Sequence, residues 1–213
     1  MKVAVIDYGS GNLRSVQKAF EKVASHRTSP CTIDVTADAE VVRSADRIVL
    51  PGVGAFADCY AGLSGVPGML EVLEERVRQA AVPFMGICVG MQLMATVGRE
   101  HGDHPGLDWI PGEVVPIEVV GSRRVPHMGW NVITRSGPDH PVFADLGPEP
   151  HAYFVHGYHF RPKDENDQVL SVDYEGLMLA AVARDTMVGT QFHPEKSQKL
   201  GQTIIANFLD WTP

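Results

Sequence analysis

The chain holds only three cysteines in 213 residues, Cys31, Cys59 and Cys88, and no CxxC pair. This scarcity argues against a disulfide-rich secreted scaffold, and a reducing cytoplasmic setting is expected. Long apolar runs are missing too: the opening Met1-Lys2-Val3-Ala4-Val5-Ile6-Asp7 soon meets an acid, too early for a signal-peptide core or a membrane span. Positive charge is in deficit, with 18 Lys and Arg against 26 Asp and Glu and a formal net charge of −8. That balance argues against nucleic acid or an anionic membrane as the main partner. Internal repeats, low-complexity tracts and an interdomain linker are all absent, so one domain over residues 1–213 is expected. The pair His101 and His104 has no matching ligand cluster and reads as a solvated loop, so neither metal nor cofactor is expected.

What is present alternates. Val3 to Ile6 reads as a buried strand, followed by a Gly-rich turn and a helix whose Leu13, Val16, Phe20 and Val23 share a face. Ile33 to Val35 and Arg47 to Leu50 read as further strands, Pro67 as the start of a helix through Leu70, Leu73, Val77 and Ala80, and Val82 to Ile87 as the strand that delivers Cys88. Strand, helix, strand is the signature of a mostly parallel sheet flanked by helices, with ligands bound beyond the strand carboxyl ends. Beyond Gly98, β-rich segments at Val114 to Val119, Val125 to Thr134, Tyr153 to Phe160, Val169 to Tyr174 and Leu177 to Arg184 suggest antiparallel additions. Met187 to Phe192 then leads to His193, and a last helix carries Ile204, Ile205, Phe208 and Leu209.

Cys88 sits in Gly86-Ile87-Cys88-Val89-Gly90-Met91-Gln92, an apolar strand turning into a helix between two glycines. A lone cysteine is more often a buried structural thiol, but this setting is that of a nucleophile elbow, where helical N–H groups favour a thiolate and a neighbouring oxyanion. Cys31 and Cys59 lack it and default to structure. His193-Pro194-Glu195 supplies a base and a carboxylate. Taken singly, the histidine ends a strand and the glutamate opens a helix; if the segment stays extended, their i, i+2 spacing puts both on one side, with Glu195 orienting His193 toward Cys88. Pro51-Gly52-Val53-Gly54 is either a plain strand-ending turn or an oxyanion site that adds a backbone N–H to that of Val89. Gly9-Ser10-Gly11-Asn12-Leu13-Arg14 lacks the third glycine of a dinucleotide fingerprint and reads as a turn and helix cap.

At these residues the chain resembles the class I, triad-type glutamine amidotransferases. Within that group it is similar to the glutaminase subunits of imidazole glycerol phosphate synthase, through Ile6 to Val16, Pro51 to Phe56 and Pro126-His127-Met128-Gly129-Trp130-Asn131, nearly end to end. The resemblance implies a flavodoxin-like amidotransferase fold. It makes Cys88 the nucleophile on the glutamine amide, His193 the proton shuttle and Glu195 its orienting carboxylate. Val53 and Val89 N–H groups would bind the oxyanion, the Val53 peptide flipping to do so, and Gly54, Gln92, His156 and Gly157 would hold glutamine. The implied partner is a (β/α)8 cyclase subunit that receives the ammonia in histidine biosynthesis, with Asn12, Trp130, Tyr153 and Lys196 at or near the interface. Two departures stand out: Gly157 occupies a position where the family usually has serine or threonine, and His26 to Cys31 follows no family pattern. The competing readings are a glutaminase for another synthase, opposed by Pro126 to Asn131, a noncatalytic interaction subunit, opposed by the intact Cys88, His193 and Glu195, and a stand-alone cysteine hydrolase, opposed by the interface positions.

Overall fold

The computed structural model describes residues 1–119, 121, 124–174 and 176–213. Its first half holds β2 (Thr32–Thr36), an edge strand in which only Ile33 is buried, and three buried apolar runs, β1 (Lys2–Ile6), β3 (Arg47–Gly52) and β4 (Phe84–Cys88). Such runs, apolar on both faces, require cover on both sides. The cover comes from α1 (Leu13–Ala24), α2 (Ala39–Arg43), α3 (Phe56–Gly65), α4 (Met69–Leu73), the single turn α5 (Val89–Gln92) and the terminal α6 (Gln198–Asp210). The anticipated face of α1 buries Val16 and Phe20, and Phe20 meets Phe208 of α6 edge-on with ring centroids 6.4 Å apart. Burying each such ring contributes roughly 1.5–3 kcal/mol.

The helix expected from Pro67 starts at Met69, because Gly68 adopts a left-handed φ of +73° and interrupts the turn. It then widens into a π-helical stretch, Glu74–Gln79, closed by the Ala80 N–H on Glu75 O. The second half supplies β5 (Val97–Gly98), β6 (His104–Pro105), β7 (Gly112–Pro116), β8 (His127–Arg135), β9 (His151–His156), β10 (Tyr158–Pro162), β11 (Gln168–Asp173), β12 (Leu177–Arg184) and β13 (Met187–Thr190).

Nine strands form one sheet in the order β2-β1-β3-β4-β13-β12-β11-β8-β9. The pairings among β2, β1, β3, β4 and β13 are parallel, a flavodoxin-like order whose reversal between β1 and β3 opens a crevice at the strand carboxyl ends. Those from β13 to β9 are antiparallel, so the sheet is mixed. A smaller sheet runs β10-β7-β5-β6. The segment Tyr153 to Phe160, expected as one β-rich stretch, divides at Gly157: β9 pairs with β8 in the large sheet and β10 with β7 in the small one. Gly157 is thus where the chain changes sheets, beside the mouth of the crevice.

Candidate active site

Cys88 is the last residue of β4 and stands immediately before α5, with φ +55° and ψ −113°. A side chain in that region is strained and persists only when packing over-determines it. Glycine packing does so here. A Cβ on Gly90 would lie 1.8 Å from Leu50 O, and one on Gly86 would lie 2.7 Å from Gly90 O, so the elbow rests directly on the backbone of β3. Because α5 is one turn, its contribution is its own free N–H groups, Val89 foremost, rather than a long macrodipole.

The base arrives from β13. His193 Nδ1 lies 2.8 Å from Glu195 Oε1, and both side chains are almost completely buried. The segment does not stay extended: Pro194–Lys196 is a 3-10 turn, and this turn rather than strand alternation brings the i, i+2 pair together. Ser197 locks the turn, donating to His193 O at 2.7 Å and accepting from the Tyr153 N–H at 3.0 Å. Burial acts to lower the His193 pKa, but hydrogen bonding and charge from Cys88 and Glu195 outweigh it and raise it from 6.5 to about 9. Among the described residues, His193 Nε2, the nitrogen remaining for Cys88, has no hydrogen-bond partner. Cys88 and His193 are therefore electrostatically coupled but not yet aligned, a relation common before substrate binds.

Cys88, His193, Val53, Gly54, Val89, Gln92, His156 and Gly157 all line one cleft of about 300 Å³, with Glu195 behind His193. Larger grooves elsewhere lack the nucleophile. Gln92 donates through Nε2 to Tyr158 O and to Gln191 Oε1, both at 3.0 Å, so its Oε1 is the atom left to accept from a ligand. Burial pushes the His156 pKa down to about 3, despite its hydrogen bond to Tyr158 O. At Gly157 an added Cβ would meet only Val125 Cγ1, at an ordinary 3.5 Å, so the site has room for the hydroxyl it lacks.

The two oxyanion candidates differ. Val89 directly follows the nucleophile and is buried, whereas Val53 is half-exposed and its N–H donates to Ser10 Oγ at 3.4 Å. Ser10 also donates back to Val53 O, and the Cys59 thiol lies 3.4 Å from that same carbonyl. In this state the Val53 N–H is engaged on the turn after β1. Two residues earlier, Pro51 O accepts from the Tyr8 hydroxyl at 2.8 Å.

Trp130 and Tyr153 meet edge-on with centroids 5.8 Å apart, and Lys196 Nζ lies 5.8 Å above the Tyr153 ring. These three form an aromatic and cationic patch, with Trp130 and Met128 exposed beside it. Asn12 is the N-cap residue of α1, a helix that packs on the 194–196 turn, as expected of the Gly9 to Arg14 segment, although it caps through its backbone carbonyl and its side chain makes no capping bond. Among the described residues no cluster of metal-ligating groups occurs, and His104 instead bonds Glu100 O at 3.0 Å. Sequence reasoning missed Ser10, Ser197, Gln191 and Glu100. Only Gln191 carried a local signal, since it stands two residues before His193 on a strand approach.

A strained cysteine elbow facing a buried histidine–glutamate pair, at the carboxyl ends of a parallel sheet, is the arrangement expected of a nucleophilic cysteine site of the amidotransferase kind. The chain matches the class-I glutamine amidotransferase family over residues 4–211 and belongs to it. More particularly, it is 53% identical over 214 residues to the imidazole glycerol phosphate synthase subunit HisH of Rhodospirillum rubrum, and 54% identical over 217 residues to that of Mesorhizobium japonicum, covering 100% of each chain. Among solved structures it resembles a glutamine amidotransferase with a TM-score of 0.73 at 17% identity, over 98% of this chain and 97% of that one. A second, from Thermotoga maritima, gives a TM-score of 0.63 at 17% identity over 99% and 83%. These two likenesses concern the fold.

Proposed function

We propose that this chain, as one amidotransferase domain spanning residues 1–213, is the glutaminase subunit of an imidazole glycerol phosphate synthase, working in the cytoplasm and passing ammonia to a (β/α)8 cyclase subunit in a heterodimer. The observation that carries the reading is the Cys88 elbow opposite the buried His193–Glu195 pair. Full-length identity to HisH subunits supports the partner and the pathway.

In this mechanism Cys88 Sγ attacks the side-chain amide carbon of glutamine, and His193 passes a proton to the departing nitrogen, which leaves as ammonia. Glu195 accepts from Nδ1, keeps the ring in the working tautomer and stabilises its cation. Water, deprotonated by His193, then attacks the γ-glutamyl thioester; glutamate leaves and Cys88 is regenerated. The Val89 N–H supports both tetrahedral oxyanions from the outset. The Val53 N–H joins it only after leaving Ser10, a rearrangement assigned here to docking of the cyclase and its ligand; a missing oxyanion donor costs about two to three orders of magnitude in rate. Gln92 Oε1 and the backbone at Gly54, His156 and Gly157 position the glutamine. Trp130, Tyr153 and Lys196 face the cyclase, with Asn12 at the margin.

The test is glutamate production from glutamine by the purified chain, with and without a histidine-pathway cyclase subunit and its ribonucleotide ligand. Stimulation of about a hundredfold or more, abolished in Cys88→Ala, is the expected result. Activity indifferent to the cyclase would overturn the partner assignment, and turnover surviving in Cys88→Ala would overturn the nucleophile.

A further inference from the structure

Gln191 is fully buried, and its backbone N–H is anchored to Ala180 O of β12 at 2.9 Å. It precedes His193 by two residues in the bend that follows β13, and both side chains converge on Cys88 while Phe192 packs on Phe154, with ring centroids 5.7 Å apart. Gln191 Nε2 lies 3.7 Å from Cys88 Sγ. The proposed mechanism gives this buried amide no task.

Its orientation follows from the groups around it. A backbone carbonyl can only accept, so the bond at Tyr158 O requires Gln92 to present its NH2 there, at 3.0 Å. The second Gln92 N–H then points at Gln191, which must offer its carbonyl, Oε1, at 3.0 Å. Gln191 has only its NH2 left to face the sulfur. Tyr158 O is itself held from the other side by the His156 Nδ1–H at 2.9 Å, and His156 Nε2 accepts from His127 Nδ1 at 3.1 Å. The neutral His156 ring that this pattern needs is favoured by its burial. The donor direction is thus set at Tyr158 O, the first residue of β10, and passes through Gln92 to Gln191 and the Cys88 sulfur, while His127 and His156 brace the same carbonyl from the other side.

We propose that Gln191 is a further catalytic residue, an N–H donor to the Cys88 sulfur that stabilises the thiolate before attack and whose direction Gln92 fixes. No bond is made or broken at Gln191. Its amide remains on the sulfur while His193 handles the proton, so thiolate stabilisation and proton transfer are divided between two side chains. A hydrogen bond to a charged acceptor is strengthened by that charge, and it favours the ionised form of the acceptor. The inference rests on Cys88 being the nucleophile.

The experiment is alkylation of Cys88 by iodoacetamide in the full-length chain across a range of pH, followed by peptide mass mapping that separates Cys88 from Cys31 and Cys59, alongside cyclase-stimulated glutaminase kinetics. In Gln191→Leu the pH midpoint of Cys88 alkylation is expected to rise by about one unit, a tenfold lower thiolate fraction at pH below the midpoint. The kcat should fall about tenfold, with KM within about twofold. Gln191→Glu preserves shape while replacing the donor, and should shift the midpoint at least as far, which keeps the test open if the leucine variant folds poorly. An unchanged midpoint in either folded variant overturns the proposal. A Gln191-dependent midpoint in a chain that releases no glutamate from glutamine, even with the cyclase, would uphold Gln191 and overturn the glutaminase reading instead.

Discussion

The two backbone donors beside Cys88 are built on opposite principles. Val89 is held by close-packed backbone: Gly90 sits against Leu50 O with no space for a Cβ, and Gly86 sits against Gly90 O. Val53 is held by a side-chain hydroxyl, on a turn that is half-exposed and followed by Gly54 at φ +101°. Close packing leaves one arrangement, whereas a turn held by side-chain hydrogen bonds, exposed and followed by a glycine, can rearrange without displacing the core. In the proposed oxyanion site, the Val89 half therefore belongs to the core and the Val53 half to the surface.

Breaking the packed side should have the largest effect. Gly90→Ala forces a methyl group into the Leu50 carbonyl, and at least about 3 kcal/mol of stability should be lost in denaturant titration, overpacking being costly where backbone cannot move. Glutaminase activity should fall about a thousandfold or more as the elbow is displaced. Glu195→Gln comes next. It keeps the shape but removes the charge that helps raise the His193 pKa to about 9, and activity should drop by about two to four orders of magnitude. Because the folded pKa of His193 exceeds the ordinary 6.5, its proton contributes stability fully below pH 6.5, and that contribution is lost as pH rises through about 9. Thermal unfolding of Glu195→Gln should show a flatter decline across that window.

His156 has the opposite sign and sharpens the comparison from the strand side. Its pKa is depressed from 6.5 to about 3 by burial, so the unfolded chain binds the proton first and stability falls as pH drops below 6.5. The loss should reach about 2 kcal/mol near pH 5. Melting of His156→Gln should vary less with pH over this interval, and the slope should be reduced rather than abolished, since burial depresses His159 as well.

On the switchable side, Ser10→Ala removes the hydroxyl that engages both ends of Val53. Cyclase-independent glutaminase activity should rise about three- to tenfold, consistent with the loss of a single hydrogen bond, while the stimulated rate stays nearly constant. Gly157→Ser should have the smallest effect. The space around Gly157 admits a side chain, so a fold unchanged in melting temperature and a KM for glutamine lowered about two- to threefold are expected from one added hydrogen bond.

The same division marks what the sequence revealed. The Cys88 elbow and the His193–Glu195 pair were legible because each depends on chemistry within a few residues: an apolar strand, a glycine turn, an i, i+2 spacing. The parallel first half was legible from its buried runs. What escaped was decided by partners far apart in the chain. Ser10 meets Val53 only because β1 and β3 pair side by side, and Gln191 meets Gln92 only because β13 lies beside β4. The break at Gly157 was hidden because residues 153–160 look equally β-rich on both sides, and two different sheets, not local propensity, decide where the strand ends. The His193–Glu195 contact was anticipated on the condition of an extended segment, and a 3-10 turn at Pro194 makes it instead.

The central claim is that the Val53 N–H rests on Ser10 in the isolated chain and leaves it when the enzyme is activated. Amide NMR of the 15N-valine-labelled chain, with Val53 assigned by substitution, measures this directly. The account predicts a Val53 signal that Ser10→Ala shifts in the isolated chain, and that moves and becomes insensitive to Ser10→Ala once the cyclase subunit and its ribonucleotide ligand are bound. A Val53 signal unchanged between the isolated and the fully stimulated enzyme would contradict it.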